Sequence, residues 1–310
     1  METIVLIWHT FLTYLLIAIN FFVGDVFGLP LVNSLYQTVT KEYLDENFEL
    51  VWHDEFDYDN SWKQDASHPF WRTWDTNAPW EGGINLGEYP TISVANGYLT
   101  LSVLLDEEGN GTAGASINTN PSMNQKFGYF EIRAKLSRLY CGGSQFWFYR
   151  VGEESTAPGW NGVEGARDGC EIDVFETFNG YEYSYPEDVV IDGKSYHVAD
   201  PTSTWQNSVS FGLHWDGYNE YKKSYSYDYS TNGDAYNSFH TYGFEWNADM
   251  YIVYVDGREA FRITDPNLIV QTDKYLILGN STYGIKQPYF VDNTDYIVDY
   301  VRVYQYKDLI

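Results

Sequence analysis

The stretch MYIVYVDGREAFRIT, residues 250–264, reads as two short β-strands meeting at a tight turn. Tyr251 through Val255 are all β-branched or aromatic, side chains that suit a pleated, half-buried surface. Asp256-Gly257 then interrupts them, a dipeptide that tolerates the positive φ required at both corners of a type I′ hairpin turn. The same pattern recurs in ISVANGYLTLSVLL (92–105), with Asn96-Gly97 at the turn. FGYFEIRAKL (127–136), GSQFWFYR (143–150), SVSFGLHW (208–215), FHTYGFEWN (239–247), KYLILGN (274–280) and DYIVDYVRVYQ (295–305) add further strands. No long amphipathic helix, no repeat of 20 to 50 residues and no linker divides the chain after residue 48. The expected fold class is all-β, a jelly-roll sandwich of two antiparallel sheets. Residues 29–48 read as an irregular lead-in. Residues 179–207, rich in Tyr, Asp and Ser, read as a long surface loop that could rim a site.

Composition narrows the partners. The 310 residues carry 44 Asp+Glu against 18 Lys+Arg, a formal charge of −26, which repels nucleic acid and anionic membranes over most of the surface. A neutral ligand is the easier partner. The N-terminal run from Ile4 to Gly24 is uncharged and apolar, so residues 1–28 read as a secretory signal or a membrane anchor outside the fold. Export follows from either, and contact with a membrane follows only if the segment is retained. Cys141 and Cys170 are the only cysteines; they either pair in an oxidising compartment or remain buried thiols. Asn110 and Asn280 begin N-x-Ser/Thr sequons, acceptors where the host glycosylates.

The segment DGCEIDVFETF (168–178) sets Glu171, Asp173 and Glu176 among β-forming apolar residues. A helix would scatter the three carboxylates around its axis. A strand puts Glu171 and Asp173 on one face but Glu176 on the other, unless one residue is inserted between them. A β-bulge at Val174-Phe175 supplies that insertion, sending both apolar side chains inward and all three acids outward. Four strand steps then separate the two glutamate Cα atoms by about 13 Å, and their side chains close the gap to roughly 5 Å. That is the separation, about 5–5.5 Å, of the carboxylates in a retaining glycosidase. Asp173 between them would help keep one glutamate ionised and the other protonated. The alternatives are a solvated acidic strand face or a cation site.

EIDVFE (171–176) resembles the bulged E-x-D-x-x-E signature of glycoside hydrolase family 16, found in laminarinases, agarases and carrageenases. The likeness extends over residues 49–306 in the family's order, through LVWHDEFD (50–57), ANGYLTL (95–101), FGYFEIRAKL, FHTYGFEWNADMYIVYVDG (239–257) and DYIVDYVRVYQ. It implies a curved jelly roll with an open substrate cleft in a catalytic domain spanning 49–310. It further implies Glu171 as nucleophile, Glu176 as general acid/base and Asp173 as the assisting carboxylate, with no cofactor for catalysis. Substrate-binding positions implied by the resemblance are Asn85, Glu131, Arg133, Trp147, Tyr149 and His214. Glu131 and Arg133 read equally as an exposed cross-strand ion pair. Trp147 and Tyr149 read as core or as a platform for sugar C–H faces, and His214 as an ordinary buried histidine. Relatives also hold a structural calcium ion through positions matching Glu55, the carbonyl of Gly97 and Asp299. The competing reading leaves both carboxylates exposed or paired with arginine.

Two departures bear on the substrate. Laminarinases carry Trp-Pro before the FW strand and a Trp upstream of the nucleophile, where this chain has CGGSQFWF and EGARDGCE. Sulfated galactans would need cations, and Arg133, Arg150 and Arg167 are the evident ones near the motif. The expected function is that of a secreted, monomeric, retaining endo-β-glycanase acting on β-1,3- or mixed β-1,3/1,4-glucan. The alternatives are an agarase or other galactan hydrolase, a transglycosylase using the same intermediate, or a non-catalytic β-glucan-binding lectin-like protein.

Overall fold

The computed structural model describes residues 37–61, 69–73, 91–107, 111–137, 143–150, 171–177, 188–191, 194–197, 208–216, 223–231, 233–281 and 294–310. The apolar N-terminal segment, Asn85, Asn110, Cys141, Arg167 and Cys170 lie outside them.

Two antiparallel sheets dominate. The larger runs, from one edge, β18 (Arg258–Ile263), β17 (Tyr251–Val255), β16 (His240–Trp246), β9 (Gly128–Lys135), β20 (Asp295–Tyr306), β5 (Tyr98–Ser102), β4 (Ile92–Ala95) and β2 (Asn60–Ser61), with β1 (Phe48–Asp54) also paired to β20. The smaller runs β15 (Lys223–Ser230), β14 (Ser208–Trp215), β11 (Glu171–Glu176), β10 (Gly143–Arg150), β19 (Lys274–Ser281), β8 (Ala115–Asn118) and β3 (Arg72–Thr73). Two short hairpins stand apart: β6 (Leu104–Leu105) with β7 (Gly111–Ala113), and β12 (Asp188–Ile191) with β13 (Lys194–His197). The second of these lies inside the stretch 179–207 that the sequence presents as loop.

Both hairpin turns form as their dipeptides require. Asn96 and Gly97 have φ of 56° and 78°, and Asp256 and Gly257 have 50° and 72°, the left-handed pair of a type I′ turn. Between the sheets lies the main core, built from inward-facing residues of both layers. Phe130 of β9 meets Phe148 of β10 edge-on at 4.8 Å, and Phe175 of β11 meets Tyr242 of β16 at 4.7 Å. Aromatic pairs in such geometry contribute beyond the area they bury.

The lead-in is less irregular than its sequence suggests. Residues Lys41–Asn47 form a short helix, α1, whose first turn is capped by the Thr40 hydroxyl accepting from the Tyr43 amide. It covers the outer face of the larger sheet. There the buried carboxylate of Glu245, 2% exposed, accepts hydrogen bonds from the hydroxyls of Tyr43, Tyr254 and Tyr306. These three donors meet the demand that a buried carboxylate be hydrogen-bonded. Burial first, and the charge of Glu245 second, push the Tyr43 hydroxyl's pKa up. Among the described residues no helix is long and apolar enough to cross a membrane.

Candidate active site

The outer face of the smaller sheet carries the acid cluster. On β14 the partners of Glu171, Asp173 and Glu176 are His214, Gly212 and Ser210. The partner positions step by two each time, while β11 steps by two and then by three. β10 gives the same result from the other side, where Trp147 opposes Asp173, Phe146 opposes Phe175 and Gln145 opposes Glu176. Val174 is the residue left without a match. Val174 and Phe175 are both fully buried in the core, so the bulge expected from the carboxylate spacing is present and turns all three acids outward.

Parallel rows therefore cross this face, perpendicular to the strands. One reads Asp228, Ser210, Glu176, Gln145, Gly279 from β15 to β19. The next reads Ser226, Gly212, Asp173, Trp147, Ile277. In the third, Ser224, His214 and Glu171 are followed on β10 and β19 by the paired Tyr149 and Tyr275. The β14 side thus brings Ser210, Gly212 and His214 beside the acids, and the β10 side brings Gln145, Trp147 and Tyr149. Trp147 and Tyr149 meet edge-on at 5.7 Å, and Tyr149 meets Tyr275 at 6.2 Å.

Asp173 is 1% exposed although it stands on the outer face, because its neighbours enclose it. His214 Nε2 lies 3.4 Å from Asp173 Oδ2. Glu171, Asp173 and His214 each offer an atom within 4.8 Å of the others. Gly212 makes this packing feasible, since a Cβ there would fall 2.7 Å from Asp173 Oδ2 and 3.4 Å from His214 Nε2. At the other end of the cluster, Gln145 Nε2 donates to Glu176 Oε1 at 3.0 Å.

Behind Glu176 the strands are tied by buried polar groups. The Ser144 amide donates to Thr177 Oγ1 at 2.8 Å, the Thr177 amide to the Ser144 carbonyl at 3.1 Å, and the Ser137 hydroxyl to Asn280 Oδ1 at 2.7 Å. Each donor in this group is satisfied inside the fold, which fixes where the chain leaves β11. Asn280 is fully buried, with its amide donating to the carbonyls of Leu101 and Thr294. The sequon at Asn280 is therefore corrected: its side chain is a core hydrogen-bond hub, closed to a glycan.

Glu131 and Arg133 also need correction. They lie on β9 of the larger sheet, whose inward residues are Phe130, Ile132 and Ala134. Alternation sends Glu131 and Arg133 to the opposite outer face of the sandwich, away from Glu171. Glu131 accepts from the Tyr129 and Tyr300 hydroxyls at 2.7 and 2.8 Å. Arg133 pairs with Asp299 and lies over the Phe239 ring at 4.7 Å. Arg133, on that side, is no cation for the face that carries the acids.

The calcium set meets the same obstacle. Glu55 is held by Arg302 through two hydrogen bonds, at 2.9 and 2.8 Å, with His53 at 3.3 Å. Asp299 is held by Arg133, while Gly97 sits at its turn with a positive φ. A guanidinium on each carboxylate supplies the positive charge that a calcium ion would bring. These residues, as arranged, do not fit the ion.

Trp147, Tyr149 and His214 share the face of the acids, and Asn85 falls outside the described residues. Sequence reasoning passed over Gln145, Gly212 and Gly279. Gln145 was within reach, because alternation along GSQFWFYR gives it the parity of Trp147 and Tyr149. The glycines show no signal until the partner strands are known.

No curated protein matches the chain in sequence. Among solved structures, the chain is similar to the endo-β-1,3-glucanase of Pyrococcus furiosus, at 19% identity over 84% of this chain and 95% of that one, TM-score 0.53. It is similar to SCLam, a non-specific endo-β-1,3(4)-glucanase, at 23% identity over 83% and 91%, TM-score 0.53. It is similar as well to a structure from work on the endo-acting O-glycanases by which human gut microbiota initiate mucin breakdown, at 19% identity over 88% and 94%, TM-score 0.55. At these identities the likeness is one of fold. The family model described as glycosyl hydrolases family 16 matches residues 87–276, more than half of the chain and the whole of the bulged acid motif, so the chain belongs to family 16 of the glycosyl hydrolases.

Proposed function

We propose that this glycoside hydrolase is a retaining endo-β-glycanase that cleaves β-1,3- or mixed β-1,3/1,4-glucan. The observation that carries the proposal is the row of three carboxylates brought to one face by the Val174 bulge, beside half-buried aromatic rings. Two of the similar folds belong to proteins described as β-1,3- and β-1,3(4)-glucanases, which supports the substrate class. The chain's acidity favours a neutral polymer over a sulfated one.

In the first step a Glu171 oxygen attacks the anomeric carbon, the glycosidic C–O bond breaks, and Glu176 delivers its proton to the departing oxygen. In the second, Glu176 takes a proton from water, whose oxygen attacks the same carbon and releases the Glu171 carboxylate. Charge balance calls for one protonated and one ionised glutamate at the start. Asp173 is crowded between them, and a carboxylate charge there would disfavour a second ionised neighbour. Its 3.4 Å approach to His214 supplies the partner that anchors it. Trp147 offers a flat apolar surface to the C–H face of a sugar ring.

The apolar run from Ile4 to Gly24 supports export of the enzyme, consistent with a polymer too large to enter a cell. Incubation of the purified protein with laminarin, lichenan, agarose and mucin O-glycans, read as new reducing ends and product sizes, tests the reading. New ends from laminarin or lichenan are expected, and their loss in Glu171→Gln and Glu176→Gln. Binding to every glycan without cleavage of any would overturn it in favour of a lectin.

A further inference from the structure

We infer that Gln145 is a positioning residue for the proton-carrying glutamate, and that position 279 is glycine in order to leave Gln145 room; this rests on the role proposed for Glu176. Gln145 is 8% exposed, so its amide is a buried polar group that must find fixed partners. It stands directly opposite Glu176 on one side and Gly279 on the other. Its Nε2 donates to Glu176 Oε1 at 3.0 Å, which leaves Oε2 as the oxygen to carry the proton. A Cβ at residue 279 would collide with Gln145 Oε1, so any larger residue there would push the amide off its carboxylate.

The strand pair cannot yield to relieve such a collision. Phe146 and Phe175, the next matched pair, are fully buried against one another at 6.0 Å, and Ser144 is bonded to Thr177 on the other side. Gln145 is thus held from below and aimed from behind. A neutral N–H donor here does two things. It restricts the carboxyl to one orientation, and it stabilises the ionised form that must accept a proton from water in the second step. Among the described residues, the charged and titratable groups on the sheet face that carries Glu176 are Asp173 and Glu171 on its own strand, His214 on β14, Asp228 on β15 through its bond to Ser210, and Tyr149 and Tyr275 on β10 and β19. Among these neighbours Gln145 contributes a neutral donor to Glu176.

The experiment is a carboxyl 13C NMR titration of the full chain with labelled glutamate, the Glu176 signal being the one missing in Glu176→Gln. Gln145→Ala is expected to move the Glu176 midpoint upward, and Gly279→Ala to move it in the same direction. The double variant is expected to match Gln145→Ala alone, because the collision disappears with the side chain. On the glucan that the wild type cleaves best, kcat falls roughly tenfold in Gln145→Ala with KM nearly unchanged, and the alkaline limb of the pH profile follows the NMR midpoint. Gln145→Met, which keeps volume without the donor, gives the same shift and serves if alanine costs the fold. An unmoved midpoint in both Gln145 variants, or a Gly279→Ala effect that persists without Gln145, overturns the inference. If the wild type cleaves no glycan, the function proposed above fails, while the titration still decides whether Gln145 governs Glu176.

Discussion

Glu171 and Glu176 are five residues apart on their own strand yet face His214 and Ser210, which are four apart on the neighbouring strand. The difference of one residue is Val174, and it separates a cluster of three outward acids from a strand with a carboxylate buried in its core.

Deleting Val174 should therefore be tolerated better than deleting Ile172. Without Val174 the strand is regular, and Asp173, Phe175 and Glu176 still meet Gly212, Phe211 and Ser210 in register. Loss of one buried valine costs stability, about 1–3 kcal/mol, but cleavage should remain measurable. Deleting Ile172 sends Glu171 to the opposite face from Asp173 and should abolish cleavage. Reducing-end assays and thermal melts on the two deletions check this.

Gly212→Ala is expected to lower kcat by roughly tenfold or more while barely changing the melting temperature. Its new methyl would lie 2.7 Å from Asp173 Oδ2, so the enclosed carboxylate must turn away from both glutamates, and misplacement of this size is costly to catalysis. Steady-state kinetics beside a thermal melt separates this from general destabilisation.

Trp147→Ala should raise KM with a smaller effect on kcat. Its ring lies in the row of Asp173, flanked by Tyr149, so its removal takes away a stacking surface that substrate and transition state use alike. Binding of laminari-oligosaccharides to Glu176→Gln with and without the tryptophan would measure the same loss in the absence of turnover.

On the far sheet, Arg302 holds the Glu55 carboxyl below its ordinary value, chiefly through their hydrogen bonds. A carboxylate depressed on folding stabilises the fold fully above its unfolded value and loses that contribution as pH falls through the folded one. Glu55→Gln should accordingly lower the melting temperature at pH 7, and the deficit should fade as the pH drops below the ordinary glutamate value of 4.5. The pair is about one-third exposed on each side, so the deficit will be modest. Chelator should leave the wild-type melt unchanged, since guanidinium groups already balance Glu55 and Asp299.

Much of this was legible in the sequence where a local rule determines geometry. Asn96-Gly97 and Asp256-Gly257 allow few turns, and alternation along residues 143–150 and 208–215 gave strands with those same bounds. The bulge followed from the chemistry of three acids that could not share a regular strand face. What failed was information about which layer a strand joins. Alternation gives Glu131 and Arg133 a common face but says nothing about whether β9 lies beside β11 or across the core from it. The Asn280 sequon failed for a related reason, because a three-residue motif carries no record of burial. Helix α1 escaped notice because its seven residues bury no side chain fully and rely on the sheet beneath and on Tyr43's bond to Glu245.

Glu171 is proposed to form the bond to the sugar and Glu176 to move the proton. Mass spectrometry of peptides after reaction with a 2-deoxy-2-fluoro β-laminaribiosyl fluoride, which slows breakdown of a covalent intermediate, distinguishes the two roles. One added disaccharide on Glu171, absent in Glu171→Gln and present in Glu176→Gln, is expected. A label on Glu176, or an enzyme that cleaves glucan and is labelled on neither, would contradict it.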